Sequence, residues 1–242
     1  RFNVIKELYK YKKPKFMIIE KFLFDKLSNY EEAKVLFDSY KTKVWVNQWV
    51  STEFSELLNF FNDTDDFEVL VKGKNWNLCS NAVHFIDWFH HINNRRKIKL
   101  YNSNLDSLIL ESNRKDFYES FGSLEFYDSN NNKLLLKCDY EKDSDRKILI
   151  SLSSKLIHAE CELTENSLKG VVCHPSKKEN IDIKIRYLSE RTSGFIKTII
   201  EKDTCTLPTY DHSVIHHKLI FQTLKNHFDK SNLKKTDRLP IS

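Results

Sequence analysis

Three histidines on a predicted C-terminal helix come closest to the spacing of a metal site: His212, His216 and His217. Positions i and i+4 share one helical face, so His212 and His216 could bind the same ion. Zinc needs further ligands, and only Cys205, or Cys173 with His174, could supply them; no CxxC or HExxH pattern accompanies the pair. The sequence therefore favours exposed or hydrogen-bonded histidines, and no metal is predicted.

A group of aspartates resembles the start of a calcium loop: Asp63, Asp65 and Asp66. Counting from Asp63, however, Glu68 stands where an EF-hand needs glycine, and Lys74 stands where it needs the bidentate glutamate. The group is therefore interpreted as a solvated turn.

Catalytic and cofactor motifs are missing from the sequence. The chain has only 4 glycines in 242 residues, and no GxGxxG, GxxxxGK[ST] or GxSxG pattern occurs. A Cys/His nucleophilic pair would need a third orienting group, which the sequence does not identify among 5 cysteines. These observations predict no catalytic residue and no cofactor, and they favour a protein that is not an enzyme.

Basic residues surround two predicted strand ends and define the candidate binding surface. Its members are Lys72, Lys74, Trp76, Arg95, Arg96 and Lys97. If the strands are parallel neighbours, these turns lie at related edges, and the pooled charge would suit a phosphate or an acidic peptide. Trp76 follows a turn, so its exposure matters most for such a surface. Solvated charges without a binding role are the alternative.

The apolar pattern changes along the first 130 residues. In residues 1–42 it has helical steps, which run from residue 16 to 27 and continue from Tyr30 to Tyr40 after a break at Ser28-Asn29. Pro14 is expected to open the second helix of this region. From residue 43 onward, short strands near Val44, Val69, Ile98 and Leu124 alternate with predicted helices. Those helices are predicted at 52 to 61, 80 to 92 and 105 to 121.

The strand spacing suggests a repeat. The four strand centres are 25, 29 and 26 residues apart, and three of the strands are followed by an asparagine: Asn75, Asn104 and Asn130. An asparagine at the end of a strand bonds the turning backbone in leucine-rich repeats. Residues 43–130 are therefore predicted to form a short leucine-rich-repeat-like α/β stack, with an ordinary open α/β sheet as the alternative.

The second half is richer in β-structure. Six alternating runs between polar turns predict an antiparallel β-meander over residues 131–205. A C-terminal helix is predicted over 206–230, and the polar residues 231–242 are expected to form a mobile tail. The predicted fold class is thus α/β followed by antiparallel β.

One block resembles a known family. It runs from Phe67 through the strand ending in Lys74-Asn75-Trp76 to the cluster around Trp88 and Phe89, then to Asn93-Asn94 before the next strand at 98 to 101. It is similar to the F-box-associated repeats of nematode F-box proteins. The resemblance implies a target-recognition domain of a ubiquitin-ligase adaptor.

Three function classes follow from the sequence. The first is a non-catalytic, intracellular protein–protein interaction module or scaffold, cytoplasmic or nuclear, with a protein partner and no membrane contact. The second is binding to RNA or DNA, based on the basic N-terminus, the Arg95-Arg96 turn and the 31 aromatic residues. The third is an enzyme whose site assembles from scattered residues and is not visible in the sequence.

Overall fold

A two-stranded parallel sheet forms one part of the computed structural model, which describes residues 1–58, 66–231 and 236–241. Its strands are β1 (Phe16–Glu20) and β2 (Lys43–Asn47), with Glu20 opposite Asn47 at their carboxyl ends. The flanking helices are α1 (Phe2–Tyr11) and α2 (Ser28–Ser39). Apolar residues from both helices enter the main core, so this sheet is covered rather than solvated.

A mixed sheet of eight strands forms the larger part of the fold. Its strands are β3 (Phe67–Lys74), β4 (Lys99–Glu111), β5 (Tyr118–Tyr127), β6 (Lys133–Asp139), β7 (Lys147–Ser154), β8 (His158–Leu163), β9 (Ser167–Cys173) and β10 (Lys178–Lys184). The spatial order is β10-β9-β8-β7-β3-β6-β5-β4. Strands β3 and β6 are parallel, and every other neighbouring pair is antiparallel.

Five further helices complete the described fold: α3 (Val50–Glu53), α4 (Ser55–Leu58), α5 (Leu78–Ile92), α6 (Leu188–Lys202) and α7 (Tyr210–Lys230). Helix α5 packs against β5, β6 and α7, and its residues Trp88 and Phe89 are fully buried. Within the described ranges, no helix is both long and apolar enough to cross a bilayer. The predicted cellular location stays a prediction.

The predicted leucine-rich-repeat stack followed by a separate meander is wrong. Strand β3 pairs with β6 and β7, and β4 pairs with β5 as an antiparallel hairpin, so the evenly spaced strands do not stack as parallel neighbours. All eight strands instead belong to one continuous mixed sheet. The regular spacing was misleading because it reflects unlike connections: the short helices α3 and α4 lie between β2 and β3, helix α5 lies between β3 and β4, and a hairpin turn joins β4 to β5.

Two predicted helices are strands. Residues 16 to 20 form β1, whose apolar run arises because both faces of the small sheet are covered, and a short run of this kind mimics a helical pattern. Residues 105 to 121 contain the end of β4, a turn at Asp116 and the start of β5. Strand β4 lies at the edge of the sheet and is largely exposed, so it lacks the alternation that identifies a strand. The helix predicted at 52 to 61 extends beyond residue 58 and thus partly outside the described residues.

The described part of the C-terminal segment is packed against the fold, contrary to the predicted mobile tail. Leu239 and Ile241 are buried. The Leu239 amide donates to the carbonyl of Asp25 at 2.7 Å, and the Tyr118 amide donates to that of Pro240 at 2.8 Å. Residues 236–241 therefore connect the loop after β1 with the start of β5.

Candidate functional site

Polar side chains gather at the carboxyl ends of β1 and β2. Because the strands are parallel, both ends lie at the same edge, which is where open α/β sheets bind ligands. Strand β1 ends at Glu20 and is followed by Lys21, and β2 ends at Asn47 and is followed by Gln48. The Nδ2 atom of Asn47 donates to Oε1 of Glu20 at 2.6 Å, which joins the two strand ends. This edge is the base of the candidate site.

Lys21 is held by the beginning of α5. Its Nζ atom donates to the carbonyl of Ser80 at 2.9 Å and to Oδ1 of Asn81 at 2.6 Å, and the Lys21–Phe22 peptide is cis. Burial lowers the pKa of Lys21 to about 8, against the opposing charges of Glu119 and Glu20. An amine with a pKa this close to neutrality can both accept and donate a proton under physiological conditions.

A buried acid lies on the other side of the α5 N-terminus. Oε2 of Glu119, in β5, accepts the backbone N–H of Cys79 at 2.9 Å. Burial raises the pKa of Glu119, while bonds to Ser80 and Cys79 and the charge of Lys21 oppose that rise. Glu119 thus fixes the start of α5 to the large sheet and places a carboxyl group within electrostatic reach of Lys21.

His84 lies one helical turn beyond Ser80 on the same face of α5. Its side chain is buried, and burial together with the charge of Lys21 moves its pKa well below the ordinary value. The imidazole is therefore neutral, and its Nδ1 atom has no hydrogen-bond partner among the described residues. The ring lies 5.6 Å from that of Trp49, centroid to centroid. A neutral histidine with a free ring nitrogen can exchange a hydrogen bond with a ligand.

Arg191 lies over the ring of Trp49, which also contacts His84. Its guanidinium carbon lies 4.2 Å from the centre of the Trp49 ring, and burial lowers its pKa. Helix α6 is positioned here by a pair between Arg186 and buried Glu53, with NH2 of Arg186 2.6 Å from Oε1 of Glu53. The candidate site therefore contains Lys21, His84, Glu119 and Arg191, from four separate elements or their ends.

Sequence reasoning identified none of these four residues. The segment containing Lys21 was predicted to be helical, which hid the fact that a lysine follows a buried parallel strand. His84 was placed correctly on a helix, but its distance to Lys21 depends on contacts across 63 residues. The usable signal was the pair Glu20-Lys21 directly after the apolar run Phe16-Met17-Ile18-Ile19.

The basic residues predicted to bind a partner are divided between the two ends of α5. Lys72 and Lys74 precede the helix and are exposed, and Lys74 forms an ion pair with Glu141. Arg95, Arg96 and Lys97 follow the helix, and 15 residues of α5 separate the groups by roughly 22 Å. The two groups do not combine into one patch, and partner binding by either stays a prediction.

Trp76 is not exposed, which removes it as a surface contact. Its side chain is 0% exposed, and its Nε1 atom donates to the carbonyl of Lys137 at 2.9 Å. The ring packs edge-on against Phe85 at 5.6 Å. Trp76 therefore belongs to the core between α5 and β6.

Of the histidines considered as metal ligands, His212 lines a cavity. Arg95 and His212 lie on its wall, with NH1 of Arg95 3.4 Å from Nδ1 of His212, and the cavity volume is about 510 Å³. Buried His216 bonds His90, Nε2 to Nδ1, at 2.8 Å, and its Nδ1 atom lies 3.7 Å from Asp87. In the described part of the chain, no group of three or more His, Cys, Asp or Glu residues could hold a metal ion. Asp63 and Asp65 lie outside the described residues.

Comparison with solved structures identifies the fold. The dehydrogenase MviM from Clostridium difficile superposes with a TM-score of 0.69 at 14% identity, covering 93% of this chain and 75% of that one. A variant of KijD10, a 3-ketoreductase from Actinomadura kijaniata in complex with TDP-benzene and NADP, gives 0.61 at 8% identity, covering 84% and 67%. A super-repressor mutant of Gal80p from Saccharomyces cerevisiae gives 0.60 at 14% identity, covering 96% and 77%. No protein-family model and no curated protein matches the sequence.

These comparisons overturn the sequence-based identification. The neighbours have the fold of Gfo/Idh/MocA oxidoreductases, so the resemblance to F-box-associated repeats is wrong. The prediction of a non-catalytic interaction module is contradicted as well, because several of these structural neighbours are dehydrogenases or oxidoreductases. At identities of 8 to 14% the likeness shows the fold alone. The chemistry must be argued from the residues of this chain.

Proposed function

We propose that this chain is an enzyme of the oxidoreductase class in which Lys21 exchanges a proton with an oxygen atom of the substrate. The observation that carries the proposal is the half-buried Lys21 amine, with a pKa of about 8, at the carboxyl edge of the parallel strands. Enzymes tune lysines to this range by burial when an acid or base is needed near neutral pH. Several neighbours of the same fold are dehydrogenases or ketoreductases, which interconvert hydroxyl and carbonyl groups.

Each residue of the site has a role in this proposal. Lys21 accepts the hydroxyl proton of the substrate when it is neutral, or donates a proton to the carbonyl oxygen when it is charged. The carbonyl of Ser80 and Oδ1 of Asn81 hold the amine in place. Neutral His84 hydrogen-bonds the same part of the substrate through Nδ1, which has no described partner. The charge of Glu119 partly offsets the effect of burial on Lys21.

The fold does not by itself decide between catalysis and regulation. A super-repressor mutant of Gal80p has the same fold, so similarity of fold is compatible with either a catalytic or a regulatory protein. Lys21 favours catalysis, because a largely buried amine held by two uncharged acceptors is costly to retain without a chemical role. The proposal therefore depends on Lys21 and not on the neighbours.

A nicotinamide dinucleotide is the cofactor that the fold implies, and KijD10 was solved with NADP. The pyrophosphate of such a cofactor needs a glycine-rich turn between a strand and a helix. The four glycines of this chain are Gly73 in β3, Gly122 in β5, Gly170 in β9 and Gly194 inside α6. None occupies a turn from a parallel strand into a helix, so the described residues do not fit the pyrophosphate. No step is derived through the dinucleotide.

Turnover tests this proposal. The chain is incubated with a panel of hydroxy and keto compounds, with and without nicotinamide dinucleotides, and the products are followed by NMR. The wild type and Lys72→Met, an exposed lysine on β3, are expected to convert the same compound, whereas Lys21→Met is expected to lose conversion by about 100-fold or more. Equal conversion by Lys21→Met, or no conversion by the wild type, would contradict the proposal.

A further inference from the structure

Arg191 is a buried cation without a complete set of partners. Its side chain is 8% exposed, and neither Nε nor NH1 has a hydrogen-bond partner among the described residues. An arginine is always charged, and leaving its donors unpaired inside a protein is costly. Such an arrangement is retained when a ligand supplies the missing acceptors.

The carboxylates whose charge acts on Arg191 already accept hydrogen bonds from other side chains. Glu53 and Glu20 raise the pKa of Arg191, but Glu53 accepts two donors of Arg186, at 3.1 and 2.6 Å, and Glu20 accepts from Asn47. Arg186 adds a second positive charge to the same region, and its effect lowers the pKa of Arg191. The protein thus brings positive charge to this position without providing Arg191 with its own counterion.

The ring of Trp49 determines how Arg191 can bind. The guanidinium lies over the ring at 4.2 Å, so one face of its plane is covered while the N–H groups at its edge stay available. Two parallel N–H groups match the two oxygens of a carboxylate or a phosphate. The geometry therefore selects an oxyanion rather than a neutral group.

Other unpaired polar atoms lie around Trp49 and mark the rest of the binding space. They are Oδ1 of Asn47, Oε1 of Gln48 and Nδ1 of His84. The His84 ring contacts Trp49 directly, and the charges of Lys21 and Arg191 both lower the pKa of His84. Trp49 thus contacts both the Arg191 guanidinium and the His84 ring, and the charges of Arg191 and Lys21 both act on that ring.

We infer that the substrate of this site carries an oxyanion, a carboxylate or a phosphate, that Arg191 binds against Trp49 while Lys21 meets the reacting oxygen. This inference rests on the proposed function for its reacting end. It assigns Arg191 as the residue that determines substrate class. A neutral polyol lacking such a group would leave Arg191 unpaired and would be a poor substrate.

Direct anion binding tests the inference without requiring turnover. Inorganic phosphate and acetate are titrated into the ¹⁵N-labelled full chain, and the Nε–H resonances of the arginines are followed by NMR, with Arg191 assigned from the spectrum of Arg191→Gln. The Arg191 resonance is expected to shift with one or both anions, and the anion that binds more tightly identifies the group. A resonance that responds to neither anion would overturn the inference and leave ordered water as the partner.

Variants separate this site from the other basic groups. Arg191→Gln is expected to weaken anion binding by about tenfold or more, since a charge-assisted bond is lost. Arg95→Gln, the matched change at the 510 Å³ cavity, is expected to leave binding unchanged. Loss in Arg95→Gln with retention in Arg191→Gln would place the anion at that cavity and overturn the inference. Arg191→Lys keeps the positive charge and replaces Arg191→Gln as the test variant if Arg191→Gln fails to fold.

The Lys21→Met variant distinguishes failure of this inference from failure of the proposed function. It is expected to bind phosphate or acetate as the wild type does and to be inactive. If it is fully active while Arg191→Gln loses anion binding, the proposed role of Lys21 fails and the anion site stands. If it is inactive and Arg191→Gln binds both anions normally, the role of Lys21 stands and the anion site is wrong.

Discussion

The Nζ atom of Lys21 lies 2.6 Å from Oδ1 of Asn81 and joins the end of a parallel strand to the first turn of α5, 60 residues later in the chain. A second bond, to the carbonyl of Ser80, comes from the same turn. Because neither acceptor is charged, burial dominates and the pKa of Lys21 falls to about 8. Burial at this junction thus gives Lys21 the proton affinity of an acid–base group, while the two bonds hold the amine in place.

Asn81→Leu removes one of the two acceptors that favour the charged amine. We expect the pKa of Lys21 to fall further below 8, because the remaining bond to Ser80 supports the ammonium form less well. The pH dependence of acetylation at Lys21, measured by mass spectrometry, reports this change. Asn102→Leu, at an exposed position in β4, serves as the control. An unchanged or higher pKa in Asn81→Leu would show that Asn81 does not stabilise the charge.

With a hydride acceptor supplied in solution, the rate of hydroxyl oxidation should rise with pH and level off above about 8, because only the neutral Lys21 amine can accept the proton. With a hydride donor supplied instead, carbonyl reduction should show the opposite dependence, since it needs the ammonium form. The measurement is kcat/KM for one hydroxyl and carbonyl substrate pair, in both directions, from about pH 6 to 10. A pH-independent rate in both directions would exclude Lys21 as the proton-exchanging group.

Much of the strand content could be read from the sequence, but the pairing could not. Strands β6 and β7, for example, lie within residues 131–205, where the alternating runs predicted strands. What the sequence did not contain was a reason for β3 to lie between them, parallel to one and antiparallel to the other. Side-chain alternation identifies the buried face of a strand but not its neighbour.

The candidate site was hidden for a different reason. Asn47, His84 and Arg191 come from segments far apart in sequence, and each of these residue types is common on protein surfaces. Only the fold reveals that His84 and Arg191 are buried and that His84 Nδ1 and Arg191 Nε and NH1 have no hydrogen-bond partner among the described residues. By contrast, the exposed Lys72 and Arg95 were predicted to bind a partner because each lies in a cluster of basic residues in the sequence.

Asp87 should make stability depend on pH. Burial raises the pKa of Asp87 from the ordinary 3.8 to about 7, while a bond from Ser51 opposes the rise. The folded chain therefore holds a proton that the unfolded chain releases between about pH 4 and 7, so stability falls as pH rises through that window.

Asp87→Asn removes this dependence. Between pH 4.5 and 7.5 the free energy of unfolding of the wild type should drop by about 3 kcal/mol relative to the variant, as measured by urea denaturation. Asp182→Asn, an exposed change in β10, is the matched control. Parallel pH profiles for the wild type and Asp87→Asn would contradict the buried, proton-binding state of Asp87.

Trp76→Ala should destabilise the protein by about 3 to 5 kcal/mol, because it empties a fully buried site and removes the donor to Lys137. Tyr11→Ala, at an exposed position ending α1, should change the free energy of unfolding by less than about 0.5 kcal/mol. Urea denaturation measures both. A Trp76→Ala variant as stable as Tyr11→Ala would contradict the burial of Trp76 in the core.

The most direct test of the account is the pKa of Lys21 itself. The Cε and Nζ resonances of the isotope-labelled chain are followed by NMR from about pH 6 to 11, a range that covers both the lowered and the ordinary lysine pKa, and Lys21→Met gives the assignment. The account predicts a titration midpoint near 8 for Lys21. A midpoint near the ordinary 10.5 would mean that Lys21 stays charged at neutral pH as a surface lysine does, and the proposed acid–base chemistry would fail.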